Sequence, residues 1–307
     1  MPTRRRFLQQ TSALAAFTAL APWFPSQAFA AEPLLQRKIP STGEMLPVIG
    51  LGTSQTFNVS PASSENMAPL LEVMQTFLAG GARLIDTAPS YGDSEAVSGE
   101  LVKQANARDK VFLATKISST GRDAGQRQVE ASFKALQTDT IDLIQVHNLR
   151  DTATNLKLLR ELKEQRRIRY IGITHYVESA HDELIAVMRK EKVDFVQFNY
   201  SVGSRNAENR LLPFCAEQGI ATLVNRAFEA GRLFNQVKGK ELPAWAREEL
   251  GATSWAQLML KYVLAEPAVT VVIPATSKAR YMSDNLMAGV GAMPNAQQRK
   301  RIIDAFA

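Results

Sequence analysis

The sequence predicts an α/β fold of the (β/α)8 TIM-barrel class, and three observations carry that prediction. From residue 46 onward, short runs rich in Val, Ile, Leu and Phe alternate with longer amphipathic stretches, at a period of about 25–40 residues, which is the pattern of a parallel sheet covered by helices. Eight strand-like runs can be counted, the number that closes such a sheet on itself. The rival arrangement, an open doubly wound sheet, wants a G-x-G-x-x-G after its first strand, and Gly50-Leu51-Gly52-Thr53 lacks the third glycine.

The eight strands are predicted at 47–52, 83–87, 111–116, 141–147, 168–173, 194–199, 220–226 and 269–273, each an apolar run bounded by polar or turn-forming residues. Helices are predicted at 64–80, 94–106, 126–137, 153–165, 179–191, 206–218, 254–265 and 278–288. The clearest helix opens at Ser254 with Gln257 three residues on as a capping box. Trp255, Leu258, Met259, Tyr262 and Val263 form its apolar stripe, and Pro267 closes it. The helix at 206–218 stops at Gly219, where a left-handed residue carries little strain. Ala230 to Gly251 interrupts the period and is rich in Gly, Pro and Lys, so it is predicted as an extended loop after strand seven, at the catalytic mouth.

The first thirty residues are set apart from the barrel domain, which is expected to span 31–307. They comprise a basic segment, Thr3-Arg4-Arg5-Arg6-Phe7-Leu8, a short apolar stretch from Ala13 to Ala21, and a small-x-small site, Ala28-Phe29-Ala30. Paired arginines before Phe-Leu resemble a twin-arginine export signal, so the expected destination is the periplasm or another exported location, with the export machinery as a partner. That route carries folded proteins, which allows a tightly held cofactor to be bound before crossing. The formal charge of +6 falls to +3 without the three arginines of this segment, a balance that argues against nucleic acid as a partner. No later segment is long and apolar enough to span a membrane. The single cysteine, Cys215, lies with Leu211, Leu212 and Phe214 at helical spacing and is predicted to be a buried structural thiol. His175 and His181 share no metal-ligand spacing, so no metal is predicted.

The chemistry is concentrated at strand ends. Asp86 and Tyr91 close or follow the second strand, Lys116 closes the third and His147 the fourth. A charge inside such apolar runs costs roughly several kcal/mol unless another group pairs with it, so these side chains are expected to converge. A phenol with an ordinary pKa of about 10 needs a neighbouring cation to act as an acid at neutral pH, and Lys116 can supply one. Asp86, on the adjacent strand, would keep that lysine charged, and His147 can donate to a substrate oxygen. The expected division of labour is Tyr91 as general acid, Lys116 and Asp86 as the pair that tunes it, and His147 as the orienting donor. A lysine at a barrel strand end also suits Schiff-base chemistry, an alternative that Asp86 opposes by holding the amine protonated.

With these residues in place, the chain resembles the aldo-keto reductase superfamily through residues 40–290: the opening VIGLGT, Asp-Thr-Ala-x-x-Tyr-Gly at 86–92, ATK at 114–116, IGIT at 171–174, Gln197, and the closing IPATSKARYMSDNL. The resemblance implies a (β/α)8 barrel, an Asp86, Tyr91, Lys116 and His147 tetrad, and hydride transfer between a nicotinamide cofactor and a small carbonyl substrate. It also implies cofactor contacts from Thr53, Asp86, Thr174, His175 and Gln197, and from Asn225, Arg226 and Phe228, which stand where the aromatic residue that the family commonly stacks on the nicotinamide is missing. Thr276, Ser277, Lys278 and Arg280 open a helix whose N-terminus favours phosphate, and the two cations suit the 2′-phosphate of NADP(H); Asn285 matches an adenine contact. The family usually has Ser-Asn where Thr174-His175 stands, and often an arginine at the position of Tyr281. The departures at Asn225-Arg226 and Thr174-His175 keep a second class open, a nucleotide-binding sensor or partner subunit with little turnover. Substrate identity is expected to lie in the loops 54–63, 118–125 and 230–251, which carry no readable code.

Overall fold

The apolar runs become parallel strands whose alternate residues face opposite sides, so that one set fills a barrel and the other meets the helices. The computed structural model describes residues 32–306, and the segment 1–30 assigned to export lies outside the described residues. The strands are β1 (Gln36–Lys38), β2 (Met45–Pro47), β3 (Leu51–Gly52), β4 (Leu84–Asp86), β5 (Phe112–Ile117), β6 (Ile141–His147), β7 (Ile168–Thr174), β8 (Phe195–Asn199), β9 (Ala221–Asn225) and β10 (Val271–Val272). The α-helices are α1 (Ser64–Ala79), α2 (Ser94–Gln104), α3 (Arg122–Leu136), α4 (Thr152–Glu164), α5 (His181–Lys190), α6 (Leu211–Gln218), α7 (Arg232–Gln236), α8 (Ala244–Leu250), α9 (Trp255–Leu264), α10 (Ala279–Met287) and α11 (Ala296–Ala305).

Strands β3 to β10 pair in sequence order, all parallel, in one eight-stranded sheet. The first and last meet through parallel bridges, Ile49 to Val272 and Gly52 to Ala275, and the Gly50 N–H donates to the Val272 carbonyl at 2.8 Å. The glycines of VIGLGT permit this approach, because a Cβ at Gly52 would stand 2.7 Å from the Ile273 carbonyl oxygen. The architecture is the (β/α)8 barrel that the sequence predicts.

Two apolar layers result. Leu84, Phe112, Leu143, Tyr170, Phe195, Leu223 and Val271 fill the lower interior, where Ile39 and Leu46 from the antiparallel hairpin β1–β2 join them and seal the N-terminal end. The larger layer lies between sheet and helices and includes Phe77, Leu101, Phe133, Leu159, Leu184 and Leu258. Each such side chain contributes roughly 1.5–3 kcal/mol on burial.

Several boundaries differ from expectation. Helix α3 starts at Arg122, four residues before the predicted 126, because the Gly121 N–H is held by the Asp151 carboxylate at 2.7 Å. The predicted extended loop 230–251 contains α7 and α8, of five and seven residues, too short for an apolar stripe to show in the sequence. Ser254 does cap α9 by accepting from the Gln257 N–H, but the Gln257 carboxamide oxygen accepts from Thr253, so the reciprocal box is absent there. A complete capping box stands instead at Asn295 and Gln298, opening the unpredicted helix α11. Gly219 takes the left-handed conformation, φ 65°, as predicted.

Candidate functional site

Strand period two carries the interior parity upward from the apolar layer. Leu84 leads to Asp86, Ala114 to Lys116, Leu143 to Gln145 and then His147, Phe195 to Gln197, and Leu223 to Asn225. The upper end of the barrel interior is therefore polar, and it lies at the C-terminal strand ends where this fold builds its sites.

Lys116, 1% exposed, donates from Nζ to Asp86 Oδ1 at 2.6 Å and to the Thr87 carbonyl at 2.7 Å. Its ammonium lies 4.9 Å from the centre of the Tyr91 ring. Burial pulls the lysine pKa down, but electrostatic attraction to Asp86 and then to Tyr91, with hydrogen bonds to both, outweighs it and raises the pKa above the ordinary lysine value. Asp86 Oδ2 accepts from Gln145 Nε2 at 3.1 Å and from Gln197 Nε2 at 2.9 Å. Tyr91 is half-buried, and its carbonyl is fixed by the Ser94 hydroxyl at 2.7 Å at the start of α2. The His147 ring meets the Tyr91 ring edge-on, centroids 6.0 Å apart. Burial, then the charges of Lys116 and His175, push the His147 pKa down to about 4, so at neutral pH it is an uncharged imidazole with one N–H to donate.

Other residues singled out in the sequence take these places. Thr53 is buried, and its hydroxyl donates to the Asp86 carbonyl at 3.0 Å. Thr174 is buried and pairs in register with His147 on one side and Gln197 on the other. His175 turns its ring toward its own loop, where Nδ1 accepts from the Tyr176 and Val177 N–H groups at 3.1 and 3.3 Å, which leaves the proton on Nε2. Asn225 donates to Gln197 Oε1 at 3.3 Å and to the His175 carbonyl at 3.4 Å, while its own Oδ1 is buried without a partner among the described residues. Arg226, in the left-handed region at φ 55°, places its guanidinium 5.4 Å from the Tyr176 ring. Phe228 packs against Phe234, centroids 5.0 Å apart.

At the start of α10, Thr276 is buried and its hydroxyl accepts from the Lys278 N–H at 3.2 Å, while Ser277 is half-buried. The Lys278 and Arg280 cations are exposed and lie 5.8 and 4.7 Å from the Tyr281 ring. Asn285 is buried on the same helix. Cys215 is fully buried, with its thiol pushed up to about 12 by burial, as befits a structural residue.

Gln145 was not singled out by the sequence, although one signal pointed to it: in Asp-Leu-Ile-Gln-Val-His it shares the inward parity of Leu143 and His147.

A half-buried phenol beside a lysine held cationic, with a neutral imidazole across from it, can hand a proton to an oxygen that becomes negative. The unpartnered Asn225 Oδ1 next to Gln197 has the chemistry to accept from a carboxamide, and the cations at the start of α10 have the chemistry to hold phosphate.

A family model described as the aldo/keto reductase family matches residues 48–302. The aldo-keto reductase YhdN of Bacillus subtilis is 32% identical over 204 residues, which cover 61% of this chain and 60% of that protein. An NADH-specific methylglyoxal reductase of Escherichia coli is 31% identical over 195 residues, covering 54% and 59%. This chain thus spans about three fifths of the length of these two relatives. Among solved structures, an aldo-keto reductase from Klebsiella pneumoniae in complex with NADPH superposes with a TM-score of 0.75 at 21% identity, covering 90% of this chain and 95% of that one.

Proposed function

This chain belongs to the aldo/keto reductase family, and from that premise we propose that it reduces an aldehyde or ketone by hydride transfer from NADP(H), with Tyr91 as general acid. The observation that carries the reading is the buried Lys116–Asp86 pair at 2.6 Å with the Tyr91 ring 4.9 Å from the ammonium.

A bound nicotinamide cofactor would supply the hydride. The residues suited to hold it are Thr174, His175, Gln197 and Asn225 for the nicotinamide, Thr53, Arg226 and Phe228 beside it, and Thr276, Ser277, Lys278, Arg280 and Asn285 for the adenosine phosphate end. Lys116 holds a positive charge at the phenol, which favours release of the Tyr91 proton to the carbonyl oxygen as that oxygen gains charge. Asp86 keeps Lys116 protonated. His147, uncharged, donates its N–H to the same oxygen and orients it. The pairing of Lys116 with a carboxylate disfavours its use as a Schiff-base amine.

The purified protein is expected to oxidise NADPH with some member of a carbonyl panel that includes methylglyoxal, the compound in the E. coli relative's name. Tyr91→Phe is expected to lose at least about a hundredfold in turnover; an undiminished rate would remove Tyr91 from the mechanism. That relative's NADH specificity favours a second reading of the cofactor, so NADH belongs in the same assay. We also propose that residues 1–30 direct twin-arginine export, supported by Arg4-Arg5-Arg6-Phe7-Leu8 and Ala28-Phe29-Ala30. Replacing Arg5 and Arg6 with lysine is expected to leave the protein inside the cell on fractionation, and unimpaired export would refute the assignment.

A further inference from the structure

An upper interior layer of the barrel is built from alternate strands, as barrel layers are, but with polar residues: Asp86 from β4, Gln145 from β6 and Gln197 from β8, exposed by 2%, 0% and 2%. The layer beneath uses Leu84, Leu143 and Phe195 at the same parity. Two carboxamides in place of two such apolar residues carry a desolvation cost that packing alone does not offset. Their bonds form a triangle. Gln145 Nε2 and Gln197 Nε2 both donate to Asp86 Oδ2, at 3.1 and 2.9 Å, and Gln197 Nε2 also reaches Gln145 Oε1 at 3.4 Å. Asp86 Oδ1 is left to Lys116 alone among the described side chains.

Strand β7 makes room for this arrangement. At the register position beside Gln145 it carries Gly172, where a Cβ would stand 3.1 Å from Gln145 Cγ and 2.9 Å from the Phe195 carbonyl oxygen. The glycine of IGIT thus serves the glutamine of the neighbouring strand.

We infer that Gln145 is a positioning residue for the carbonyl reduction proposed above, acting through Asp86 and Lys116 on the acidity of Tyr91, and the inference rests on that proposal. Its N–H, with that of Gln197, draws carboxylate charge toward Oδ2. The positive field of Lys116 therefore reaches the Tyr91 phenol less cancelled by Asp86 than in a simple two-residue pair. Without Gln145, the carboxylate is compensated by one fewer donor, the field at residue 91 is more negative, and the phenol gives up its proton less readily.

The test substitutes Gln145→Met, which keeps the length of the side chain and loses both amide contacts. Gln145→Leu serves as a second variant should the first not fold. Tyrosinate absorbance is followed against pH in each protein, and the difference from the same protein carrying Tyr91→Phe isolates residue 91. This titration needs neither cofactor nor substrate. The Tyr91 midpoint is expected to rise by about one pH unit in the Gln145 variant. In the assay of NADPH oxidation, the alkaline limb of kcat is expected to move upward with it and kcat to fall about tenfold at neutral pH, while KM for the carbonyl stays within about twofold. A purely structural role would lower stability and leave the midpoint where it was. An active wild type whose Tyr91 midpoint does not respond to Gln145→Met overturns the role of Gln145 and leaves the reductase reading standing. A Tyr91 midpoint that rises in the Gln145 variant as described, in a protein whose wild type reduces no carbonyl, overturns the reductase reading and, with it, the catalytic meaning of Gln145.

Discussion

Lys116, inside the barrel mouth, and Lys261, on the outer helix α9, are each 1% exposed, yet their surroundings push them in opposite directions. Lys116 meets the Asp86 carboxylate at 2.6 Å and has its pKa raised, against the downward pull of burial. Lys261 meets carbonyl oxygens, those of Val290 at 2.7 Å and Ala292 at 3.0 Å, and burial pulls its pKa down to about 8, with Glu32 offsetting only part. Burial acts the same way on both. What differs is that a full negative charge compensates an ammonium and carbonyl dipoles do so incompletely. The first arrangement keeps a cation beside the Tyr91 ring, and the second ties α9 to the chain after α10.

The comparison breaks most severely if the partner is removed. Asp86→Leu is expected to cost about 3–5 kcal/mol of stability in urea unfolding, since it leaves a buried ammonium unpaired, and to give Lys116 the lowered pKa that Lys261 has now. An unfolding midpoint equal to that of the wild type would mean that the pair does not hold the mouth together.

The other lysine sharpens the contrast through pH. Its pKa in the folded protein is about 8 against an ordinary 10.5, so the unfolded chain binds more protons in the window between them. Its contribution to stability is therefore full above about pH 10.5, falls as the pH drops through that window, and is lost below about 8. The total is on the order of 3 kcal/mol. Urea unfolding of the wild type and Lys261→Met at pH 7.5 and 10 isolates it: the wild type should gain on the variant at the higher pH, and a constant difference would place the lysine in water.

Away from the barrel interior, exposed cations should matter less. The double variant Lys278→Ala, Arg280→Ala is expected to weaken NADPH binding about tenfold in a fluorescence titration, with NADH nearly unaffected, as befits solvent-screened contacts to one phosphate. Equal losses for both nucleotides would remove these residues from any choice between them. The smallest expected effect is at His147: with its pKa near 4, its imidazole NMR signals should not titrate between pH 5 and 8, and a midpoint near 6.5 would contradict the neutral donor assigned to it.

Most of the barrel was legible because its signal repeats. Strands β4 to β9 begin and end within about two residues of the predicted runs, since a parallel strand buried on both faces is apolar throughout. The hairpin β1–β2 has three-residue strands, and α11 reads Ala-Gln-Gln-Arg-Lys-Arg-Ile-Ile-Asp-Ala with only Ile302 buried, so neither carries a periodic apolar pattern. In the site, Asp86, Lys116 and His147 stand out because a charged or titratable residue is costly in such a strand. Gln145 does not, because a neutral amide in an apolar run suggests no partner until the three-dimensional pairing with Asp86 and the empty space at Gly172 are known. The cap at Ser254 was readable and the reciprocal bond was not, since Gln257 turns to Thr253.

The charged state of Lys116 beside Tyr91 is tested most directly by 15N NMR of lysine Nζ, with Lys116→Met and Lys261→Met assigning the two signals. Lys116 should remain an ammonium at pH 10.5 while Lys261 loses its proton near pH 8. Loss of the Lys116 proton at or below the pH at which Lys261 titrates would contradict the pairing on which the chemistry depends.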